Sequence, residues 1–499
     1  MTSSSGPAGR SGLSRELGLL GLVATGICSM IGAAINVIPF SIQRSVPGIG
    51  PYVLPAFVVA AVPAVLAALA YAVLASAMPR AGGSYVYASR ALSPYLGFVA
   101  SFSQWFGLSI AIGVVAYVLV PFLRDIAAAI GWQGTAEALE RRPVRLTVAL
   151  AFLWTFVAVN LRGLKSYERT LVPLMLLMFA LGSVVIVTGF AFDHRDFAAA
   201  VLDRDGREIV PPSAPPFNLA TLLPASVLLF SSFIGFDSIA QAGGEARDPN
   251  RTLPLAIGLA VVIVGAFYLS FTAAVYHAVP WSYVAEQAVQ RDVTAPGLMS
   301  YVLSPAWTVA IVAGAAVALT NDLPAMLLAV SRLMFAWAED GIFPRVVARV
   351  HPTRHTPHVA LIASGVMATL GVIGSHVAGD FFLGVDILVT SMLVNFWLMA
   401  LSVLALPVKN PVIARDIRVL TSPGVRVAVA GAGVVALSAF LGVHVWNDLS
   451  KTQPEWYYHS TYVWLVVMAL GSGVYLRDMG KLRRSGVDVQ AVFARLPPE

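Results

Sequence analysis

Three carboxylates, Asp237, Asp322 and Asp386, stand inside stretches that are otherwise apolar enough for lipid. Burying an ionised acid near a bilayer centre costs at least about 2.5 kcal/mol. Each must therefore pair with a cation, exchange a proton, or sit near an aqueous mouth beside a hydrogen-bonding neighbour. For Asp237 the readings are proton coupling and capping of a restarted helix. For Asp322 and Asp386 they are a functional charge and an acid bonded near the outer mouth. Gln104, set among Ser101, Ser103 and Ser109 around Trp105, needs a neighbouring helix or a polar cavity at that depth. Covalent chemistry is not indicated, because no histidine falls mid-span beside a serine or cysteine as a base and its nucleophile require. The single cysteine, Cys28, excludes an intrachain disulfide and a cysteine metal cluster. Residues 351–358 carry three histidines, but two prolines interrupt them, so the segment reads as a loop in preference to a zinc site. No cofactor or metal is expected.

The elements that must hold these residues are unusual in two places. Gly26-Ile27-Cys28-Ser29-Met30-Ile31-Gly32-Ala33-Ala34-Ile35-Asn36 is apolar but weak as a continuous helix. Taken alone it is either a segment unwound over a ligand or a glycine-kinked helix packed on a neighbour. Lipid cannot pair freed N–H and C=O groups, so unwound backbone must be buried in protein or line a cavity. Phe230-Ser231-Ser232-Phe233-Ile234-Gly235-Phe236-Asp237-Ser238 repeats the anomaly in the sixth span. Two interrupted spans, each opening a group of five, are the sequence mark of an inverted-repeat transporter with its site between the breaks.

Of 499 residues, 58% are apolar and 12% charged, against roughly 25% charged in a soluble domain. Apolar runs of spanning length recur end to end and give about twelve crossings. The formal charge of +6 is a matter of topology and not a nucleic-acid site, since most Lys and Arg, among them Arg80, Arg90, Arg162, Lys165, Arg247, Arg251, Arg345 and Arg349, fall in segments of one face. The positive-inside rule places both termini in the cytoplasm, in a plasma or inner membrane. The expected organisation is a leader (1–15), five spans (16–192), an outer loop (193–217), five more spans (218–406), two extra spans (407–477) and a basic tail (478–499). The extra spans would serve packing or a homodimer contact. The inner loop 79–88, amphipathic and aromatic, is expected at the cytoplasmic interface, as an anchor or a moving gate.

With Ser29-Met30-Ile31-Gly32-Ala33-Ala34 and Pro39, Arg80-Ala81-Gly82-Gly83-Ser84-Tyr85, the sixth-span run with Glu245, Asp248-Pro249-Asn250-Arg251 and Pro254, and Ser331-Arg332 before Glu339-Asp340-Gly341, the chain resembles the amino acid–polyamine–organocation permeases. The sixth-span motif is similar to that of cationic amino acid transporters and the arginine/agmatine antiporter. The resemblance implies a five-plus-five inverted repeat. It also implies a substrate carboxylate on the backbone N–H groups of Gly32, Ala33 and Ala34, and an ammonium on carbonyls near Met30, Ser231 and Ile234. Ser29 and Ile31 complete that binding stretch. Ser103, Gln104, Leu108 and Met326 would set specificity, with the tenth span near Asp386, and Phe230, Phe233 or Phe236 would form an aromatic gate.

Departures bear on mechanism. Met178 stands where some relatives place a lysine that substitutes for sodium, and Met326 stands where the arginine/agmatine antiporter has a large aromatic. The expected function is secondary active amino acid transport by alternating access, as proton-coupled symport or exchange, with sodium coupling open. Asp322, one turn before Met326, would favour a cationic or amine-bearing substrate. An amine, polyamine or potassium-type permease of the same fold is the alternative.

Overall fold

Twelve helices among the described residues are long and apolar enough to cross a membrane. In chain order, spans 1 to 12 are Leu19–Ser45, Gly50–Ala77, Pro94–Ala127, Arg142–Leu161, Tyr167–Ala191, Leu219–Gln241, Pro249–Ala278, Pro305–Glu339, His358–Val377, Phe382–Lys409, Pro423–Leu449 and Ser460–Arg484. The computed structural model describes residues 15–209, 213–290, 293–378, 382–452 and 455–497. Most of the expected leader, and part of the outer loop, lie outside these residues. Spans 4, 7, 8 and 11 begin with proline in the first turn, where its missing N–H costs nothing and its fixed φ suits a helix start.

The spans divide by what surrounds them. In their most apolar windows span 1 is wholly buried and spans 3 and 8 are 83% buried, whereas spans 4 and 5 are 28% and 22% buried. Apolar surface that protein does not cover is left to lipid. Polar side chains follow that division: Gln104, Asn321, Asp322 and Asp237 all lie on enclosed helices and are buried, because only those can supply partners at membrane depth.

The first half of the chain meets the second through backbone as well as side chains. Leu17 N donates to Glu245 O and Arg247 N to Leu17 O, both at 2.9 Å, and Ala81 pairs with Ala242. The loop expected to lie on the membrane surface is instead inside the protein. Its helix, Gly83–Ala91, is buried along its whole length, and an added Cβ at Gly82 or Gly83 would strike Ala336 or the Ala240 carbonyl. Small residues let this helix dock against spans 6 and 8, which its amphipathic pattern did not reveal.

The tail lies on the same face as Leu17. Arg90 Nε donates to Arg495 O and Arg80 Nε to Pro497 O, each at 3.1 Å, and Arg90 also lies over the Phe493 ring at 4.9 Å. On the opposite face the outer loop forms a helix, His194–Asp205, capped by the Asp193 carboxylate, which accepts the Arg195 and Asp196 amides. The Asp196 and Arg195 amides hold that carboxyl below its usual range.

Candidate functional site

Both interrupted spans are broken. The helix Leu19–Met30 stops, Ile31 is extended, and a second helix restarts at Ala33 after Gly32. In span 6, Leu219–Phe230 passes through a single 3₁₀ turn, Ser231–Phe233, and an extended Ile234, and the helix resumes at Asp237. Gly235 adopts φ +137°, a conformation that L side chains rarely take. A Cβ there would also fall on the Ser29 carbonyl, so the two breaks lie directly against each other.

The restarted helix Ala33–Ser45 turns its first N–H groups and the positive end of its dipole toward the break. Of the carbonyls freed on the other side, Met30 O accepts the Tyr268 hydroxyl at 2.6 Å. Beside the breaks is a cavity of about 70 Å3 whose lining includes Ser29, Met30, Ser231, Ile234, Asp322 and Met326. That is far below the roughly 300 Å3 at which drug-sized pockets begin, so a bulky solute needs the surrounding helices to separate.

Asp322 is the acid that reaches this cavity. Its carboxylate packs against Gly32 so closely that any Cβ at that position would collide with it. Its Oδ1 is buried without a hydrogen-bond partner among the described residues. Asp237 lies on the other side of the span 6 break and is fully engaged: it accepts Gly235 N–H at 3.0 Å and the Gln104 amide. Gln104 in turn accepts from Ser84 and from Gln241, which ties the helix Gly83–Ala91 to spans 3 and 6. Asp386 lies outside the lining of this cavity, which span 10 reaches through Gly384, Val385 and Leu388. It pairs with Lys451 at 2.6 Å on the face opposite the termini, in a wider cavity of about 550 Å3 with Arg44, His444 and Asp448. Burial disfavours the Lys451 ammonium, but Asp386 and Asp448 outweigh it and hold the group above the ordinary lysine value.

Several expected lining residues point elsewhere. Ser103 donates to Ser391 O and accepts Trp464 Nε1 at 2.7 Å, facing spans 10 and 12. Gln104 is consumed by the Asp237 network, and Leu108 is buried outside the cavity wall. Span 3 reaches the cavity further along, through Ala111, Val114, Val115 and Val118. None of the three phenylalanines lines the cavity: Phe230 and Phe236 pack on Phe396, and Phe233 packs on Phe57 and Tyr268. Met178 borders a separate void of about 20 Å3 with Ile31 and Asn36.

The face that carries the termini is closed by buried ion pairs. Arg332 donates to both oxygens of Glu245, at 2.5 and 3.1 Å, and Arg90 to both oxygens of Asp340, at 2.5 and 3.0 Å. Tyr85 adds a hydrogen bond to Asp340. Their residue types were visible as charges near span ends, but which charge met which was not.

A family model described as amino acid permease matches residues 17–469. The chain belongs to that family. The match runs from the first backbone contact at Leu17 into span 12, and it assigns a transporter of the amino acid–polyamine–organocation type in place of an enzyme. Among its relatives, an uncharacterized transporter of Mycobacterium tuberculosis is 31% identical over 72% of this permease and 74% of its own length. A methylthioribose transporter of Bacillus subtilis is 25% identical over 95% of both chains. The branched-chain amino acid permease BcaP of the same organism is 28% identical over 84% of this chain and 86% of its own.

Proposed function

We propose that this permease is a secondary transporter that carries an amino acid or a related amine by alternating access, binding it between the breaks of spans 1 and 6. The observation that carries the reading is Asp322: a buried carboxylate with an unpaired oxygen, at the break of span 1 and in the cavity that both breaks line. An unpaired charge there is costly, and a substrate ammonium or a proton relieves it. The N–H groups of Gly32, Ala33 and Ala34 suit a substrate carboxylate, and the carbonyls near Met30, Ser231 and Ile234 suit the cationic end. The relatives' names range from a branched-chain amino acid to methylthioribose, so residues such as Asp322 and Met326 select the solute.

Asp322, alternately bound to a proton and to a cationic substrate, links proton movement to substrate movement. Asp237, held by Gly235 and Gln104, supports the break of span 6. The basic face that carries the termini is assigned to the cytoplasm, and the closed ion pairs on it make this a conformation shut toward that side. Spans 1, 2, 6 and 7 rock against the others to open it.

A second reading has its own support. Asp322 already presents a carboxylate at the start of Ala33–Ser45, so a solute that lacks one, an amine or polyamine, also fits. Proteoliposome uptake separates these readings. Saturable uptake that follows an imposed pH gradient, persists when choline replaces sodium and is blocked by amino acids supports the first. Thermal-shift pairs of each amino acid with its decarboxylated amine decide the second, which fails if only the amino acids stabilise. Uptake without saturation or competition sinks both.

A further inference from the structure

A groove of about 680 Å3 runs between spans 2 and 7 on the face that carries the termini. Its walls include Leu69, Leu255 and Val262, and Arg251 and Arg418 lie at its rim. Leu255 and Val262 are 47% and 70% exposed, so the walls are open to lipid. Gly258 lines the groove as well, and a Cβ there would meet nothing within 4 Å, so the space between the two helices is open beside it.

The two arginines come from different segments. Arg251 is in the first turn of span 7. Arg418 belongs to the connection between spans 10 and 11, fixed by its backbone N–H on Ser76 Oγ at 3.1 Å near the end of span 2. Both are exposed. Neither guanidinium has a hydrogen bond or ion pair among the described residues, whereas Arg90, Arg332 and Arg477 on the same face each hold a carboxylate.

A guanidinium fork matches phosphate geometry, and two of them at one rim favour an anion. An apolar trough beneath that rim favours an aliphatic chain on the same molecule. Basic pockets between helices at the membrane surface recognise anionic head groups on this basis. We propose that the groove is a binding site for an anionic phospholipid, with its phosphate between Arg251 and Arg418 and one acyl chain between spans 2 and 7. A bound head group ties the start of span 7 to the connection between spans 10 and 11.

The test uses the purified full-length protein in detergent, with thermal unfolding followed as phosphatidylglycerol, phosphatidylcholine of the same chains, or inorganic phosphate is added. Phosphatidylglycerol is expected to raise the midpoint by about 3 °C more than phosphatidylcholine, and inorganic phosphate is expected to leave it unchanged. The difference disappears in R251Q/R418Q. It is retained in R345Q, an exposed arginine of the same face outside the groove. G258L keeps both arginines and fills the trough, and it also loses the difference, so the proposal remains testable if the double variant fails to fold. Equal shifts from the two lipids, a full shift from inorganic phosphate alone, or an undiminished phosphatidylglycerol shift in either groove variant overturns the site.

Discussion

Asp322 and Gly32 form one unit. The carboxylate occupies the space a side chain at position 32 would need, so the absence of a Cβ there serves span 8 as much as any ligand. D322N keeps the volume and removes the charge. Charge-assisted hydrogen bonds contribute about 1.5–3 kcal/mol, so amine-bearing solutes are expected to bind about 10- to 100-fold more weakly to D322N, as read by calorimetric titration. Unchanged affinity would remove Asp322 from the site. G32A pushes a methyl group into the carboxylate and is expected to lower stability by about 1–3 kcal/mol. G32A/D322A should regain most of that stability without regaining binding. A double variant as unstable as G32A would place the strain elsewhere.

Among the elements, the closure of the terminal face rests on contacts between spans distant in sequence. Glu245 follows the broken half of span 6 and Arg332 lies near the end of span 8, and both are almost fully buried. Removing one partner of a buried pair strands the other, at a cost of about 3–5 kcal/mol. E245Q alone and R332Q alone are each expected to lose stability on that scale, whereas E245Q/R332Q loses much less than the sum. Strict additivity in chemical unfolding would mean that the two side chains do not act as a pair. The helix Gly83–Ala91 follows the same logic: its buried position depends on Gly82 and Gly83 meeting spans 6 and 8, and no local pattern in residues 79–91 contains that information.

For the whole molecule, orientation is the property most open to a direct check. Cys28 is the single cysteine and is buried, so a thiol introduced elsewhere reacts against a quiet background. Ser485 is exposed just after span 12. S485C is expected to react with a membrane-impermeant maleimide only after the cells are permeabilised. Labelling in intact cells would reverse the assigned topology.

The sequence by itself determined twelve spans and the two interruptions in them, because spanning length, lost helix continuity and the basic bias of one face are local or compositional properties that lipid enforces. It also pointed to Asp237, Asp322 and Asp386, since acids in apolar surroundings stand out singly. What it left undetermined was their partners. Gln104 lies on the expected span, but its amide is taken by Asp237. Ser103 turns to spans 10 and 12, and Asp386 meets Lys451 on the far side. Only the tertiary structure decided these, because a helix rotation of one or two residues sends a side chain into the cavity or into a neighbour, and helix packing between distant segments sets that rotation. The same packing brings Asp322 to Gly32, a contact that links span 8 to the break in span 1.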